Sequence, residues 1–299
     1  GIQSLEGDGR MNALEVKGLC KNYKEFQLKD VSFCLPKGFV MGYIGENGAG
    51  KTTTLNLITH LCHQDAGMVS IGGITYEEDT RRYLESIGFI GDESYFPGTF
   101  RLKDVKAVCK MMYSSFQEDK FDQMVENWKL PAKTRIANYS RGMKVKLMFA
   151  SVLSRDTSIL ILDEATNGLD PVMRAEVIEM LQEYIMDGEH SILFSTHVLD
   201  DLEQIADYIV FIHRGEILLN QTKEELLESY VMVRGDVADL NEGRRRKMIG
   251  MIQGAYGFEG LLRSRDAEGF GSMFAIEPAD IDHIMLHYIK NGGKENACR

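Results

Sequence analysis

The chain has 299 residues, of which 44% are hydrophobic and 26% are charged, a composition that excludes disordered and fibrous proteins. The net charge of −11 excludes a general attraction to nucleic acid. The longest apolar runs, such as Ile159–Leu162 and Ser191–Phe194, are far shorter than the roughly 20 residues of a membrane helix. Five scattered cysteines without close pairs favour a reducing cytoplasm.

The N-terminal part alternates short strand-like runs with turns. Leu14–Val16, Lys29–Leu35 and Phe39–Ile44 predict an antiparallel sheet that leads into a buried strand. After the following glycines the apolar residues adopt the spacing of Leu55 and Ile58, which predicts a helix.

The middle of the chain contains two continuous apolar runs, Ser158–Leu162 and Ser191–Phe194, separated by a helical stretch over Pro171–Met186. This pattern is typical of buried parallel strands joined by a crossover helix. Apolar spacing within Leu102–Leu130 predicts two further helices, and we place a helical insertion at about 94–150.

The chain changes character near residue 231. A strand over Tyr230–Val233 and a last helix over Ile281–Ile289 indicate a small accessory α/β domain at 231–299, after a main α/β domain at 11–230. Residues 1–10 are expected to be an expression remnant or a disordered segment.

The segment Gly45–Thr52 reads GENGAGKT and matches G-x-x-x-x-G-K-[ST] between a predicted strand and a predicted helix. Glycines let backbone N–H groups surround phosphate oxygens, and the helix N-terminus favours an anion. Lys51 is expected to reach the β- and γ-phosphates, and the Thr52 hydroxyl to bind Mg²⁺. The alternative is a glycine-rich turn without a ligand. The residues of this loop that we predict to bind nucleotide are Gly45, Asn47, Gly48, Ala49, Gly50, Lys51, Thr52 and Thr53.

The run ILILDE places two carboxylates at the end of a buried strand, where open α/β sheets bind ligands. Asp163 is predicted to support Mg²⁺, and Glu164 to polarise the attacking water. The alternative is a pair of acidic residues that cap a helix.

Five motifs in one order, GENGAGKT, NYSRGMKVKL, ILILDEAT, NGLDP and FSTH, make Leu14–Tyr230 resemble the ATP-binding subunits of ABC transporters. The resemblance implies a P-loop ATPase fold: a mixed α/β core, an N-terminal antiparallel β subdomain and the helical insertion. The small C-terminal α/β domain follows this cassette.

The resemblance also implies roles for individual residues. Ser140 and Gly142 stand in the signature motif, which in this family faces the γ-phosphate held by a second subunit. Tyr23 matches the aromatic that stacks on adenine, and His197 the histidine that hydrogen-bonds the γ-phosphate. Asp170 matches a residue that communicates across the dimer.

The sequence departs from the family pattern in two places. Asp92 stands where a Mg²⁺-contacting Gln is usual, and we predict that it replaces that ligand unless Glu93 does. Arg141 and Met143 stand where the signature has Gly and Gln.

The leading hypothesis is an ATP-hydrolysing, energy-coupling subunit of an ABC transporter, similar to bacterial exporters of bacitracin, lantibiotics or drugs. It implies ATP and Mg²⁺, a second ATP-binding subunit, a separate membrane-spanning subunit that contacts the helical insertion, and a place at the cytoplasmic face of the membrane. No nucleic-acid partner is expected, and the basic run Arg244–Lys247 is interpreted as a solvated helix face. The alternatives are a soluble ABC-type ATPase acting on DNA or the ribosome, and a small-molecule P-loop kinase.

Overall fold

The computed structural model describes residues 11–255 and 257–291, so the expectation for residues 1–10 lies outside it. The strands are β1 Asn12–Asn22, β2 Gln27–Pro36, β3 Val40–Ile44, β4 Ala66–Ile71, β5 Ile74–Thr75, β6 Ile87–Ile90, β7 Ile159–Asp163, β8 Ser191–Ser195, β9 Tyr208–His213, β10 Glu216–Thr222, β11 Tyr230–Gly235, β12 Ile249–Gly254, β13 Gly257–Arg263 and β14 Ala275–Pro278. The helices are α1 Lys51–Ile58, α2 Thr80–Glu85, α3 Leu102–Met112, α4 Glu118–Asn127, α5 Arg141–Leu153, α6 Pro171–Ile185, α7 Leu199–Ile205, α8 Lys223–Ser229, α9 Glu242–Lys247 and α10 Ile281–Lys290.

The central sheet has the strand order β10-β9-β3-β8-β7-β6. Strands β9, β3, β8, β7 and β6 are parallel to their neighbours, and β10 pairs antiparallel with β9. Every residue of β3 and β8 is buried, because helices or the second sheet cover both faces. The predicted parallel strands and the crossover helix α6 are confirmed.

The N-terminal strands form a second, antiparallel sheet of order β2-β1-β4-β5. Alternate residues of β1, including Leu14 and Val16, point into a core shared with Tyr43 of β3 and Leu55 of α1. This is the predicted antiparallel β subdomain, and its core fixes the start of the glycine loop.

The segment between β6 and β7 is mainly helical, as predicted. Helices α3 and α4 bury Val105, Cys109 and Phe121 in a cluster that also contains Leu147 and Ala150 of α5. The insertion therefore has a small core of its own that is anchored on α5.

The C-terminal residues form an antiparallel sheet of order β12-β13-β11-β14, with α10 packed against it. The predicted strand and last helix are present. Residues Met232, Ile284 and Tyr288 lie in the same apolar cluster as Leu202 and Ile205 of α7. The division of the chain at residue 231 therefore stays a prediction, since the buried core runs across it.

Among residues 11–255 and 257–291, no helix combines the length and the apolar character that a membrane crossing requires.

Candidate nucleotide site

The glycine loop Gly45–Thr52 joins β3 to α1 and has the backbone geometry that only glycine accepts readily. Gly48 and Gly50 have φ angles of 80° and 115°. A Cβ on Gly45 would lie 2.4 Å from the carbonyl oxygen of Ile212, so the loop passes directly over β9. No side chain caps the first turn of α1, which leaves its backbone N–H groups available to an anion.

Lys51 lies beneath this loop with 5% of its side chain exposed. Its Nζ donates hydrogen bonds to the carbonyl oxygens of Gly45, at 2.8 Å, and Glu46, at 3.3 Å. Burial lowers the pKa of Lys51, while nearby carboxylates, Glu164 first, act in the opposite direction. The loop thus holds a buried ammonium where phosphate oxygens are expected.

Asp163 ends β7 beside the loop. Burial raises the pKa of its carboxyl, and the Thr52 hydroxyl acts in the opposite direction. The Oδ1 atom of Asp163 is buried and accepts no hydrogen bond within the described part of the chain. An unpaired carboxylate oxygen next to a hydroxyl is a donor set that suits Mg²⁺, so Asp163 and Thr52 fit the predicted metal.

Glu164 follows with a left-handed backbone, at φ 54°. Its N–H donates to the carbonyl oxygen of Ser195, and its Oε2 accepts a 2.7 Å hydrogen bond from Nδ2 of Asn167. Nδ1 of His197 lies 3.4 Å from Oε2, and Nζ of Lys51 lies 3.8 Å from Oε1. The carboxylate is therefore held at a fixed place facing the loop.

Tyr23 and Phe26 form the outer wall of this site, in the turn between β1 and β2. Tyr23 is half exposed, with Lys21 Nζ 5.8 Å from its ring centroid, so part of the ring is accessible to a planar ligand. Phe26 was not predicted, although its place three residues after Tyr23 in the same turn is a signal. A cleft of about 360 Å³ is lined by Tyr23, Phe26, Asn47, Gly48, Gly50, Lys51, Thr52, Thr53 and Glu164.

Ser140 and Gly142 lie outside this cleft, at the start of α5. They line a separate cavity of about 370 Å³ with Gly168 and Asp170. The Ser140 hydroxyl accepts a 3.2 Å hydrogen bond from the N–H of Met143, and Asp170 caps α6. The structure therefore separates the two groups of predicted nucleotide-binding residues within one chain.

Asp92 lies outside the cleft as well. Its carboxylate pairs with the guanidinium of Arg141, and both residues line a third cavity, which also includes Glu93. The role of Asp92 as a Mg²⁺ ligand stays a prediction.

Asn167 and His213 were not singled out from the sequence. Asn167 contacts Glu164 from the same turn, so its spacing of three residues is a usable signal. His213 is buried at the end of β9, and its Nδ1 lies 2.9 Å from Oε1 of Glu46 in the glycine loop. No local pattern points to that contact.

A glycine loop around a buried lysine, with two carboxylates at the end of β7 facing it, defines a P-loop nucleoside triphosphatase. The family model for ABC transporters matches residues 28–167. The lantibiotic transport ATP-binding protein SrtF of Streptococcus pyogenes is 33% identical over 73% of this chain and 97% of its own length. The bacitracin transport ATP-binding protein BcrA of Enterococcus faecalis is 29% identical over 71% of this chain and 70% of its own. A solved structure of an ATP-binding subunit of an ABC transporter matches 72% of this chain and 91% of its own with a TM-score of 0.66 and 27% identity.

The chain belongs to the ATP-binding proteins of ABC transporters, which confirms the resemblance drawn from its motifs. It is an ATPase with the cassette fold of that family, and ATP is its nucleotide.

Proposed function

We propose that this chain is the ATP-hydrolysing subunit of an exporter and closes with a second ATP-binding subunit around two Mg-ATP. One observation carries the proposal: the cleft at Lys51 and the cavity at Ser140 are separate within one chain, as two half-sites would be. A two-fold arrangement of subunits would place each half-site against the other, so that two chains complete two sites. SrtF is named for lantibiotic transport and BcrA for bacitracin transport, and this similarity supports export of a peptide or drug.

The residues of the cleft supply the chemistry of hydrolysis. Lys51 and the N–H groups of the loop bind the phosphates, and Thr52 and Asp163 would hold Mg²⁺, which neutralises charge on the phosphate oxygens. Glu164 accepts a proton from the attacking water, because Asn167 and His197 hold its carboxylate toward the loop. Tyr23 stacks on the adenine.

The helical insertion is the surface that would contact a separate membrane-spanning subunit at the cytoplasmic face. Beside α3, an apolar cavity of about 340 Å³ is lined by residues that include Phe96, Phe100 and Tyr113. Met111 and Met112 stand exposed at the end of α3. An apolar groove with an exposed rim suits a short helix from such a subunit.

The test is the oligomeric state of the Glu164→Gln protein with and without Mg-ATP, measured by light scattering. We expect a monomer without nucleotide and a stable dimer with Mg-ATP, because the amide preserves the site but accepts no proton. Glu179→Gln, an exposed change on α6, is the matched control and should hydrolyse ATP normally. A Glu164→Gln protein that hydrolyses ATP at the normal rate contradicts the role of Glu164. A persistent monomer that binds ATP contradicts pairing of the chain with itself and points to a related second subunit.

A further inference from the structure

Two of the residues that depart from the family pattern, Asp92 and Arg141, meet in the structure. Arg141 Nη2 contacts Oδ1 of Asp92 and lies 3.5 Å from its carbonyl oxygen. Both side chains are about half exposed, with 49% and 42% of their surface accessible. The pair therefore connects the loop after β6 to the first residue of α5 while remaining open to exchange with another ligand.

The position of Arg141 is unfavourable for a cation. It occupies the first turn of α5, where the helix dipole favours negative charge, and the carboxylate of Asp92 offsets that cost. The guanidinium also lies over Gly168, since a Cβ there would be 3.4 Å from its Cζ atom. Arg141 thus lies at the edge of the cavity that contains Ser140 and Gly142.

The other cation of this cavity is already engaged. Lys146 forms an ion pair with Glu176 of α6, with its side chain 18% exposed. Arg141 is the more exposed of the two and has several further N–H groups beyond the one on Asp92. A planar, multiply donating cation next to a helix N-terminus is well suited to a phosphate.

We propose that Arg141 binds the terminal phosphate of the nucleotide held by the second subunit, and that Asp92 retains it until that nucleotide arrives. The inference rests on the proposed function, because it needs the two subunits to close. A γ-phosphate carries more negative charge than one carboxylate and therefore displaces it. Asp92 is then a competitor that opposes closure without nucleotide, and closure releases its carboxylate.

This exchange predicts opposite effects for the two members of the pair. In the Glu164→Gln protein, Asp92→Asn should lower the ATP concentration for half-maximal dimerisation by about threefold, as for loss of an exposed ion pair. Arg141→Gln should raise it by at least about tenfold, because it removes a charged hydrogen bond to phosphate. Arg141→Lys should raise this ATP concentration by less than Arg141→Gln does, since lysine keeps the positive charge but lacks the several N–H donors of the planar guanidinium.

The measurement is light scattering across an ATP titration, with Lys144→Gln as the control that removes a neighbouring positive charge from the same helix. If the pair only fastens the structure, both Asp92→Asn and Arg141→Gln shift dimerisation in the same direction or not at all, and the inference is wrong while the proposed function stands. If the Glu164→Gln protein itself forms no ATP-dependent dimer, pairing of the chain with itself is wrong, and the inference for Arg141 is wrong with it. Unfolding temperatures without nucleotide show that each variant is folded.

Discussion

Asn167 donates a 2.7 Å hydrogen bond to Glu164 from the turn that follows β7, so the carboxylate is oriented by a residue only three positions away. The turn also contains Gly168, with φ 61°, against which Arg141 packs. The residue proposed to accept a proton and the residue proposed to bind the partner's nucleotide thus meet at one turn.

Replacing Asn167 by Ala should lower kcat by about tenfold with little change in ATP affinity, because a hydrogen bond to a charged group is lost. Phosphate release at saturating ATP and a nucleotide titration measure the two quantities. Asn127→Ala, an exposed change at the end of α4, serves as the control. An equal loss of ATP affinity would mean that Asn167 shapes the cleft rather than orienting Glu164.

Asp163→Asn should stabilise the nucleotide-free protein. Burial raises the pKa of Asp163, so its neutral form is favoured in the folded state, and its ionisation opposes folding as pH rises through that pKa. Removing the charge should add about 1 kcal/mol, or about 2–4 °C in Tm at pH 7. Mg-ATP should raise the Tm of this variant less than that of the unaltered protein, because Asp163 is a proposed Mg²⁺ ligand. Thermal unfolding with and without Mg-ATP tests both statements, and the exposed change Asp156→Asn should alter neither.

ATP affinity should fall with rising pH on the alkaline side, beginning below the ordinary lysine pKa of 10.5, because burial lowers the pKa of Lys51. Bound phosphate favours the charged ammonium, so binding takes up a proton wherever free Lys51 is neutral. Nucleotide titrations of the Glu164→Gln protein across the alkaline range give the profile. Adding Lys51→Arg should abolish this fall in affinity, since arginine stays charged. If the fall persists in the arginine variant, a group other than Lys51 causes it.

A chain that ends at Ser229 should unfold about 10 °C lower than the full chain, because the truncation uncovers Leu202 and Ile205. In the full chain, Ile284→Ala should cost about 2–5 kcal/mol through the same contact. Thermal unfolding measures both. An unchanged Tm after truncation would instead establish residues 231–299 as the independent accessory domain that the sequence predicts.

Local patterns predicted the features that local chemistry determines. The glycine loop, the strand before it and the helix after it are contiguous, so one motif specified their geometry and the place of Lys51. The apolar runs of β7 and β8 likewise predicted a buried parallel pair, because such strands have few polar residues.

Features that depend on distant contacts were not predictable. Asp92 and Arg141 are 49 residues apart, and no local pattern indicates that the fold brings them into contact. Strands β12 and β13 also escaped prediction, because glycines such as Gly250 weaken the strand pattern. The fold requires that glycine, since a Cβ there would lie 2.0 Å from the carbonyl oxygen of His287 in α10.

The apolar cluster that joins α7 to α10 has a consequence for synthesis of the chain. Leu199, Leu202 and Ile205 leave the ribosome some eighty residues before Ile284 and Tyr288, which pack in the same apolar cluster in the folded protein. During that interval the whole ATP-binding motif set has been made, yet an apolar face next to His197 is still open to water. A nascent chain whose synthesis has not yet reached α10 therefore still exposes an apolar face that favours aggregation.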